Sequence, residues 1–375
     1  MKNKTLFIYN DSHIVGGHEI LTVRIANYLA ETHQLKVHFA FFCQDISGYL
    51  SEKIIPHVLP FHSKTKSLIH RGQFDIAFVK NLIVQIKPDL ALIAQGYIES
   101  GVRGILGARL SGTRTVSYIP FGETNKELGN RYAAFRDLLA IPIYKLNHHY
   151  ITISKFQARA LIKRVGARPV EIINNPLSDQ PIKPITPKGL DQARQSGQFS
   201  AAVIGRILFK QKNQNILIAV AQMLKQQGLN VTFNIIGDGP DRAQLESQIQ
   251  EHHLQNSFKM HGWMEKNAIS KLLETEVDFV VMPSKYEGLP LVFLETVFSG
   301  LPILMSDLGF TTDYPIPDSW RFNPGSADSI VESIASLVNS ETNQAMLRLQ
   351  ESVATTNSLS RFNQDITDCF SKLLP

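Results

Sequence analysis

Short runs rich in β-branched and aromatic residues recur along the whole chain, each followed by a stretch with helical periodicity. This alternation is what most constrains the fold. The predicted strands of the first half are Thr5–Asn10, Lys36–Phe42, Ala91–Gln95, Thr115–Ile119, Tyr150–Ser154 and Glu171–Asn174. Those of the second half are Ala201–Gly205, Val231–Gly237, Phe258–His261, Asp278–Pro283 and Pro302–Ser306. Between them lie amphipathic segments such as Ile20–Ala30 and Ile216–Gln227. Strands that alternate with helices pair in parallel, because the helix carries the chain back across the sheet. The expected class is therefore α/β, with doubly wound sheets.

The two sets of strands are separated by PLSDQPIKPITPKGLDQARQSGQ, residues 176 to 198, with four prolines and few large apolar residues. Proline fixes φ and removes a donor, so this stretch is expected to connect domains. It gives an N-terminal Rossmann-like domain over 1–180, a linker over 181–198 and a C-terminal one over 199–354. The final segment, about 343–375, reads as helical, and its part from 355 onward is expected to rejoin the first domain. With 375 residues, of which 43% are hydrophobic and 19% charged, two cores of ordinary size can be filled. Two such domains leave a cleft at the C-terminal ends of their strands, where open α/β sheets bind ligands.

Several classes fall away on composition. No run approaches the ~18 to 20 apolar residues that span a bilayer. The opening MKNKTLFIYNDSH lacks signal-peptide architecture, since Asn10, Asp11 and Ser12 interrupt its apolar stretch. Cys43 and Cys369 are far apart and outside any CxxC spacing, which points to a reducing cytoplasm rather than to a disulfide or zinc framework. Residues 1–180 carry 22 Lys and Arg against 13 Asp and Glu; the remainder carries 16 against 20. A basic first half suits an anionic partner such as a membrane surface, a phosphorylated lipid or an acidic saccharide, or is simply a solvated basic surface. No recognition motif accompanies the charge, so nucleic acid is not the expected partner.

The stretch richest in chemistry is PSKYEGLPLVFLETVFSGLPIL, from Pro283. A buried strand precedes it. Pro290 is well placed as the first residue of a helix running to about Ser299, with Gly300 as its stop. The first N–H groups of a helix lack internal partners and form an anion site, and Gly288 lets that backbone approach closely. Glu287 stands before the helix and Glu295 inside it. Each carboxylate can accept two hydroxyl hydrogen bonds, which suits the vicinal diols of a ribose and a hexose. On their own, two glutamates so spaced fit equally an acidic helix start and an exposed mid-helix side chain.

The stretch resembles the E-x7-E signature of retaining glycosyltransferases of family 4, which have the GT-B fold. The match takes in the Pro-Ser before it, the Glu-Gly-Leu-Pro turn and the Gly-Leu-Pro-Ile that opens the next strand. The resemblance implies two Rossmann-like domains facing each other across a cleft. It implies that Glu287 contacts the transferred sugar, that Glu295 binds the ribose, and that the backbone of Gly288, Leu289, Pro290 and Leu291 holds the diphosphate. A nucleotide sugar, UDP- or GDP-linked, is then the donor substrate, with no cofactor.

Further segments extend the likeness. AAVIGRILFKQKNQN resembles the family's Gly-Arg…Lys phosphate element, with Gly205 and Arg206, and with either Lys210 or Lys212 as its lysine; Lys212 matches better. IIGDGPDRAQLE looks like the family's Gly-rich turn, where Gly237 and Gly239 allow the turn and Asp238 or Asp241 is placed to cap the next helix. FKMHGWMEKNAI resembles the segment that presents Gly262, Trp263 and Met264 to the base, although Trp263 serves equally as core. Gly16 and Gly17, followed by Glu19, resemble the Gly-Gly-x-Glu element beside the donor phosphates, or a tight turn without a ligand.

One departure stands out. Many members carry a histidine after the strand corresponding to TVSYIP, where this chain has Pro120-Phe121-Gly122-Glu123-Thr124. Glu123 or Thr124 is the candidate to meet the sugar or acceptor there. His13, His18, His148 and His149 are alternatives by type only. No Asp-x-Asp tract is present to hold a metal, so Arg206 and Lys212 are expected to supply the positive charge. The implied activity is transfer of a hexosyl unit to a saccharide or lipid-linked acceptor, at the inner membrane face. A GT-B sugar-nucleotide epimerase and a silent sugar-nucleotide-binding paralogue are the rivals.

Overall fold

The computed structural model describes residues 1–60, 68–177 and 184–374. The chain divides into two compact units, one formed by 1–175 with 360–375 and the other by 176–359.

In the first unit, seven strands form one parallel sheet: β1 (Thr5–Asn10), β2 (Lys36–Phe41), β3 (Ile54–Val58), β4 (Leu90–Ala94), β5 (Thr115–Tyr118), β6 (His149–Thr152) and β7 (Val170–Ile172). Their order is β3-β2-β1-β4-β5-β6-β7. The connecting helices are α1 (Gly17–Thr32), α2 (Leu68–Ile86), α3 (Val102–Leu110), α4 (Ala133–Ile143) and α5 (Lys155–Val165). Central strands are apolar on both faces, as a sheet covered by helices requires: every residue of β4 is buried. Phe7, Tyr9, Val79, Ile93 and Ile105 form one core, and Ile98, Tyr144, Tyr150 and Leu161 another.

The second unit repeats the plan. Its strands are β8 (Gln198–Ile204), β9 (Asn230–Ile236), β10 (Phe258–Gly262), β11 (Phe279–Met282), β12 (Ile303–Ser306) and β13 (Arg321–Phe322), in the parallel order β10-β9-β8-β11-β12-β13. The helices are α6 (Asp191–Ser196), α7 (Ile216–Gln226), α8 (Arg242–Glu251), α9 (Lys266–Thr275), α10 (Leu291–Phe298), α11 (Ala327–Val338) and α12 (Asn343–Thr356). Strand order reverses between β8 and β11, the switch point outside which doubly wound sheets bind ligands.

Two strands escape sequence-based expectation. β3 reads IIPHV, and Pro56 argues against a ladder; it is tolerated because β3 is an edge strand. β13 has two residues, too few for a pattern. The presumed linker also differs. Residues 181–183 lie outside the described residues, but the rest of 184–198 packs on the second unit. Leu190 and Ala193 are buried, and Arg194 Nε donates to the Val338 carbonyl at 2.7 Å. The C-terminal segment is two helices, α12 and α13 (Leu359–Leu373). The last belongs to the first unit, where Lys372 Nζ lies 3.1 Å from Glu171 Oε1 and Tyr28 Oη 3.0 Å from Thr367 Oγ1.

Candidate active site

At the switch point of the second unit, three loops leave the C-terminal ends of β8, β9 and β11. The first two are locked together through backbone. Gly205 N–H donates to Ile236 O at 2.9 Å, and Ile207 N–H to Asp238 O at 3.0 Å. Gly237 has φ +134°, and a Cβ there would lie 2.1 Å from Gly205 O. At Gly239 a Cβ would lie 2.2 Å from Ile207 O. These glycines are needed so that two main chains can touch. Neither nearby aspartate caps α8 with its side chain, contrary to the sequence-based expectation. Asp241 Oδ2 accepts from Phe209 N–H at 2.6 Å, and Asp238 is held by Gly239 N–H and Arg242.

The third loop joins this scaffold where Lys285 N–H donates to Gln211 O at 2.7 Å. That bond brings Lys212 to Glu287: Nζ and Oε1 are 2.6 Å apart, and both side chains are largely buried. The stem of Lys212 runs along Gly205, whose Cβ would lie 3.5 Å from Lys212 Cε. So Lys212, rather than the exposed Lys210, reaches the glutamate. Arg206 is exposed beside it, with its carbonyl held by Gln214 Nε2 at 2.9 Å and its guanidinium in no ion pair among the described residues.

Past Gly288 and Leu289, both buried, Pro290 is the N-cap of α10 rather than its first residue, and Ser299 is the C-cap rather than the last. No side chain caps this helix start; Phe293 N–H donates to Pro290 O at 3.1 Å, and the N–H groups of Leu291 and Val292 face outward for another acceptor. Glu295, one turn further, is half-buried and lies 2.9 Å from Lys266 Nζ. A cavity of about 530 Å³ opens beside it. Met264, Ile269, Leu273 and Val292 give it apolar walls, while Glu295, Lys266 and Thr296 supply polar groups. Thr296 Oγ1 is buried without a partner. Trp263 is 74% exposed, which removes the option that it serves as core. Gly262, at φ +71°, accepts from Gly237 N–H at 2.7 Å.

In the first unit the corresponding edge is built otherwise. The Gly16–Gly17 turn opens α1, and Gly16 N–H donates to Glu19 Oε2 at 2.9 Å. Glu19 Oε1 lies 2.8 Å from His18 Nδ1. Burial pushes the Glu19 carboxyl up, but the hydrogen bond and charge of His18 outweigh it and hold it below its ordinary range. Glu123, after β5, accepts from Gln157 Nε2 at 3.0 Å through Oε1, while Oε2 is buried without a partner. Burial raises its pKa. Thr124 is spent locally: its N–H donates to Glu127, and its hydroxyl accepts from Glu127 N–H. His148 and His149 stand at the start of β6, the opposite end of the sheet; His148 sits between Thr115 and Arg109. His13 packs edge-on against Phe42.

Two family models match this chain. The description "Glycosyltransferase Family 4" matches residues 15–180, and "Glycosyl transferases group 1" matches residues 191–352. The chain belongs to glycosyltransferase family 4. Its fold is that of the GT-B glycosyltransferases. The structure of Anabaena HepE in complex with UDP and glucose superposes on this family 4 chain with a TM-score of 0.75, at 19% identity, over 99% of this chain and 100% of that one. An Escherichia coli UDP-Gal:alpha-D-GlcNAc-diphosphoundecaprenol alpha-1,3-galactosyltransferase is 25% identical over 276 residues, 70% of this chain and 69% of its own length. Bacillus subtilis EpsF, named as a glycosyltransferase, is 38% identical over 96 residues, 26% of this chain and 24% of its own length. The chain spans about a quarter to two fifths of the length of the first curated relatives it matches.

Five residues that line the cavity, Lys266, Ile269, Leu273, Val292 and Thr296, were not among the sequence-based candidates. They carry no motif, and a lysine or an apolar residue on an amphipathic helix looks like any solvated lysine or core residue.

Proposed function

We propose that this chain transfers a hexosyl unit from a UDP- or GDP-sugar to a saccharide or lipid-linked acceptor, retaining the anomeric configuration and needing no metal. The observation that carries this reading is the Lys212–Glu287 pair set beside the uncapped start of α10, with Arg206 exposed next to it. A diphosphate seated on the backbone from Gly288 to Leu291 would meet N–H dipoles and two cations, the arrangement that stabilises charge developing on a leaving group. Glu287 would accept from hydroxyls of the transferred hexose. Glu295 would exchange Lys266 for the ribose hydroxyls, with the base against Met264 and Ile269. Glu123 offers its open oxygen to the sugar or the acceptor.

The reaction is a front-face displacement. The acceptor oxygen bonds to the anomeric carbon as the bond from that carbon to the phosphate oxygen breaks, and the acceptor's proton passes to the departing phosphate. Arg206 and Lys212 supply the charge that a metal would otherwise bring. The names of relatives support the donor and acceptor classes: one is titled for UDP and glucose, another for UDP-Gal and a diphosphoundecaprenol-linked sugar. We place the activity in the cytoplasm at the inner membrane face, on the basic first unit and the two buried cysteines, which form no disulfide. Among the described residues no helix is long and apolar enough to cross a membrane. Proton NMR of the first product formed tests the chemistry. An inverted anomeric centre, or turnover abolished by EDTA and restored by Mn, would overturn the mechanism.

A further inference from the structure

On most surface helices the outer face is charged. On α4 it is not. Every exposed residue of this helix is apolar: Ala134, Phe135, Leu138, Leu139, Ile141 and Pro142. Phe135 and Leu138 are 63% and 62% exposed. The helix does own two charged residues, but both face the body of the unit. Arg136 pairs with Glu99, its Nε 3.0 Å from Oε1, and Asp137 accepts from the N–H groups of Asn125 and Lys126. The inner face is anchored by Ala140 beside Tyr144 and Leu161. So the polar groups hold α4 in place and the apolar ones point outward, the reverse of a helix selected for contact with water alone. Contiguous exposed apolar surface of this kind marks an interaction site.

The surroundings identify the partner. Lys126 and Arg131 stand before the helix and Lys145 after it, all exposed and in no ion pair among the described residues. Tyr132, 69% exposed, carries the Arg131 guanidinium over its ring at 4.8 Å. The unit as a whole has 24 Lys and Arg against 14 Asp and Glu, a net charge of +10. A second copy docking through a two-fold contact would bring these same cations together. An anionic lipid surface instead neutralises them while its acyl boundary takes the apolar side chains. At 1.5 Å per residue the helix is roughly 16 Å long, too short to span and long enough to lie flat.

We propose that α4 is the membrane-contacting surface of the first unit, with Tyr132, Phe135, Leu138, Leu139 and Ile141 in the headgroup–acyl boundary and Lys126, Arg131 and Lys145 on anionic headgroups. This deepens, and rests on, the reading of the acceptor as lipid-linked; vesicle binding is measured without donor or acceptor, so it stands or falls apart from transfer. The experiment is co-sedimentation of the full chain with vesicles of phosphatidylcholine mixed with phosphatidylglycerol, and of phosphatidylcholine alone. Wild type is expected to bind the mixed vesicles and to weaken with salt. The Leu138→Glu/Leu139→Glu variant should bind about tenfold or more weaker, with unchanged melting temperature because both sites are exposed. Replacing Lys126, Arg131 and Lys145 by Ala should cost about fivefold per cation. Leu347→Glu, at an exposed leucine of the second unit, should bind as wild type does. Wild type that ignores mixed vesicles would overturn the proposal, as would a double-Glu variant that binds them equally well. So would a wild-type dimer in solution that the double-Glu variant turns into a monomer.

Discussion

The two units share a sheet plan and differ in how their C-terminal edges treat charge. In the second, cation meets anion: Lys212 with Glu287, Lys266 with Glu295. The first has one such contact, His18 with Glu19, and the buried atoms it leaves over are amide, imidazole and carboxylate, where those of the second include the hydroxyls of Ser284, Thr296 and Ser306. Asn10 Nδ2, His18 Nε2 and Glu123 Oε2 are buried and have no hydrogen-bond partner. Unpaired buried polar atoms are costly, and water, an ion or a ligand completes them. On the proposed reading, the second edge, with its two Lys–Glu pairs, suits a diphosphate that arrives with its own charge. The first, with open amide, imidazole and carboxylate atoms, suits a polyhydroxyl partner. In the proposed reaction, donor recognition would then rest on backbone and fixed ions, and the acceptor side on individual side chains.

The comparison can be broken first at the lysines. If Lys212 is the phosphate cation of the second edge, Lys212→Ala should lower kcat by about 100-fold, while Lys210→Ala stays within about threefold. Equal effects would dissolve the distinction drawn from the 2.6 Å contact. The turn glycines give the next test, on stability. Gly237→Ala meets Gly205 O and an unfavourable φ, so chemical denaturation should show a loss of about 3 kcal/mol. Gly17→Ala, with nothing within 4 Å, should stay within about 0.5 kcal/mol. A larger effect at Gly17 would mean that the first-unit turn is as constrained as the second.

Smaller effects come from buried titratable groups of the first unit. Burial raises the Glu123 pKa, so the folded state holds its proton to higher pH than the unfolded state does. The associated stability is present below the ordinary carboxylate range and is lost as pH rises through the raised value. Glu123→Gln keeps the Gln157 contact and removes the charge. Its melting temperature should exceed wild type at pH 8 and match it at pH 4.5. His38 shows the opposite sense. Burial, then the charge of the adjacent His57, lowers its pKa to about 4. As pH falls from 6.5 toward 4, the unfolded chain takes up a proton that the folded one refuses, so stability declines. His38→Phe should flatten that slope by a degree or so in melting scans.

The sequence carried the architecture further than the site. Strand–helix alternation located the central strands to within a few residues, since buried parallel strands must be continuous apolar runs. It missed β3, where Pro56 is tolerated only because the strand is an edge, and β13, which is too short for periodicity. The start of α10 was legible because Gly-Leu-Pro and the downstream Gly-Leu-Pro-Ile bracket the helix. The Lys212–Glu287 contact was not, since 75 residues separate its members. Trp263 could be read as core from hydrophobicity alone, and only its place on an exposed turn shows otherwise. The apolar outer face of α4 carries no signal of its exposure in the sequence, because periodicity cannot tell which of several apolar faces is covered.

Whether the Glu287 edge handles a sugar nucleotide is read most directly from UDP or GDP release from a panel of UDP- and GDP-hexoses, run on wild type and Glu287→Gln, with binding of the free nucleotide diphosphate measured on both. Wild type should release nucleotide slowly from at least one donor. The variant should release it about 100-fold slower or more, with nucleotide affinity nearly unchanged. Wild type that neither binds nor cleaves any donor, or a variant that releases nucleotide as fast as wild type, would rule out that role for Glu287.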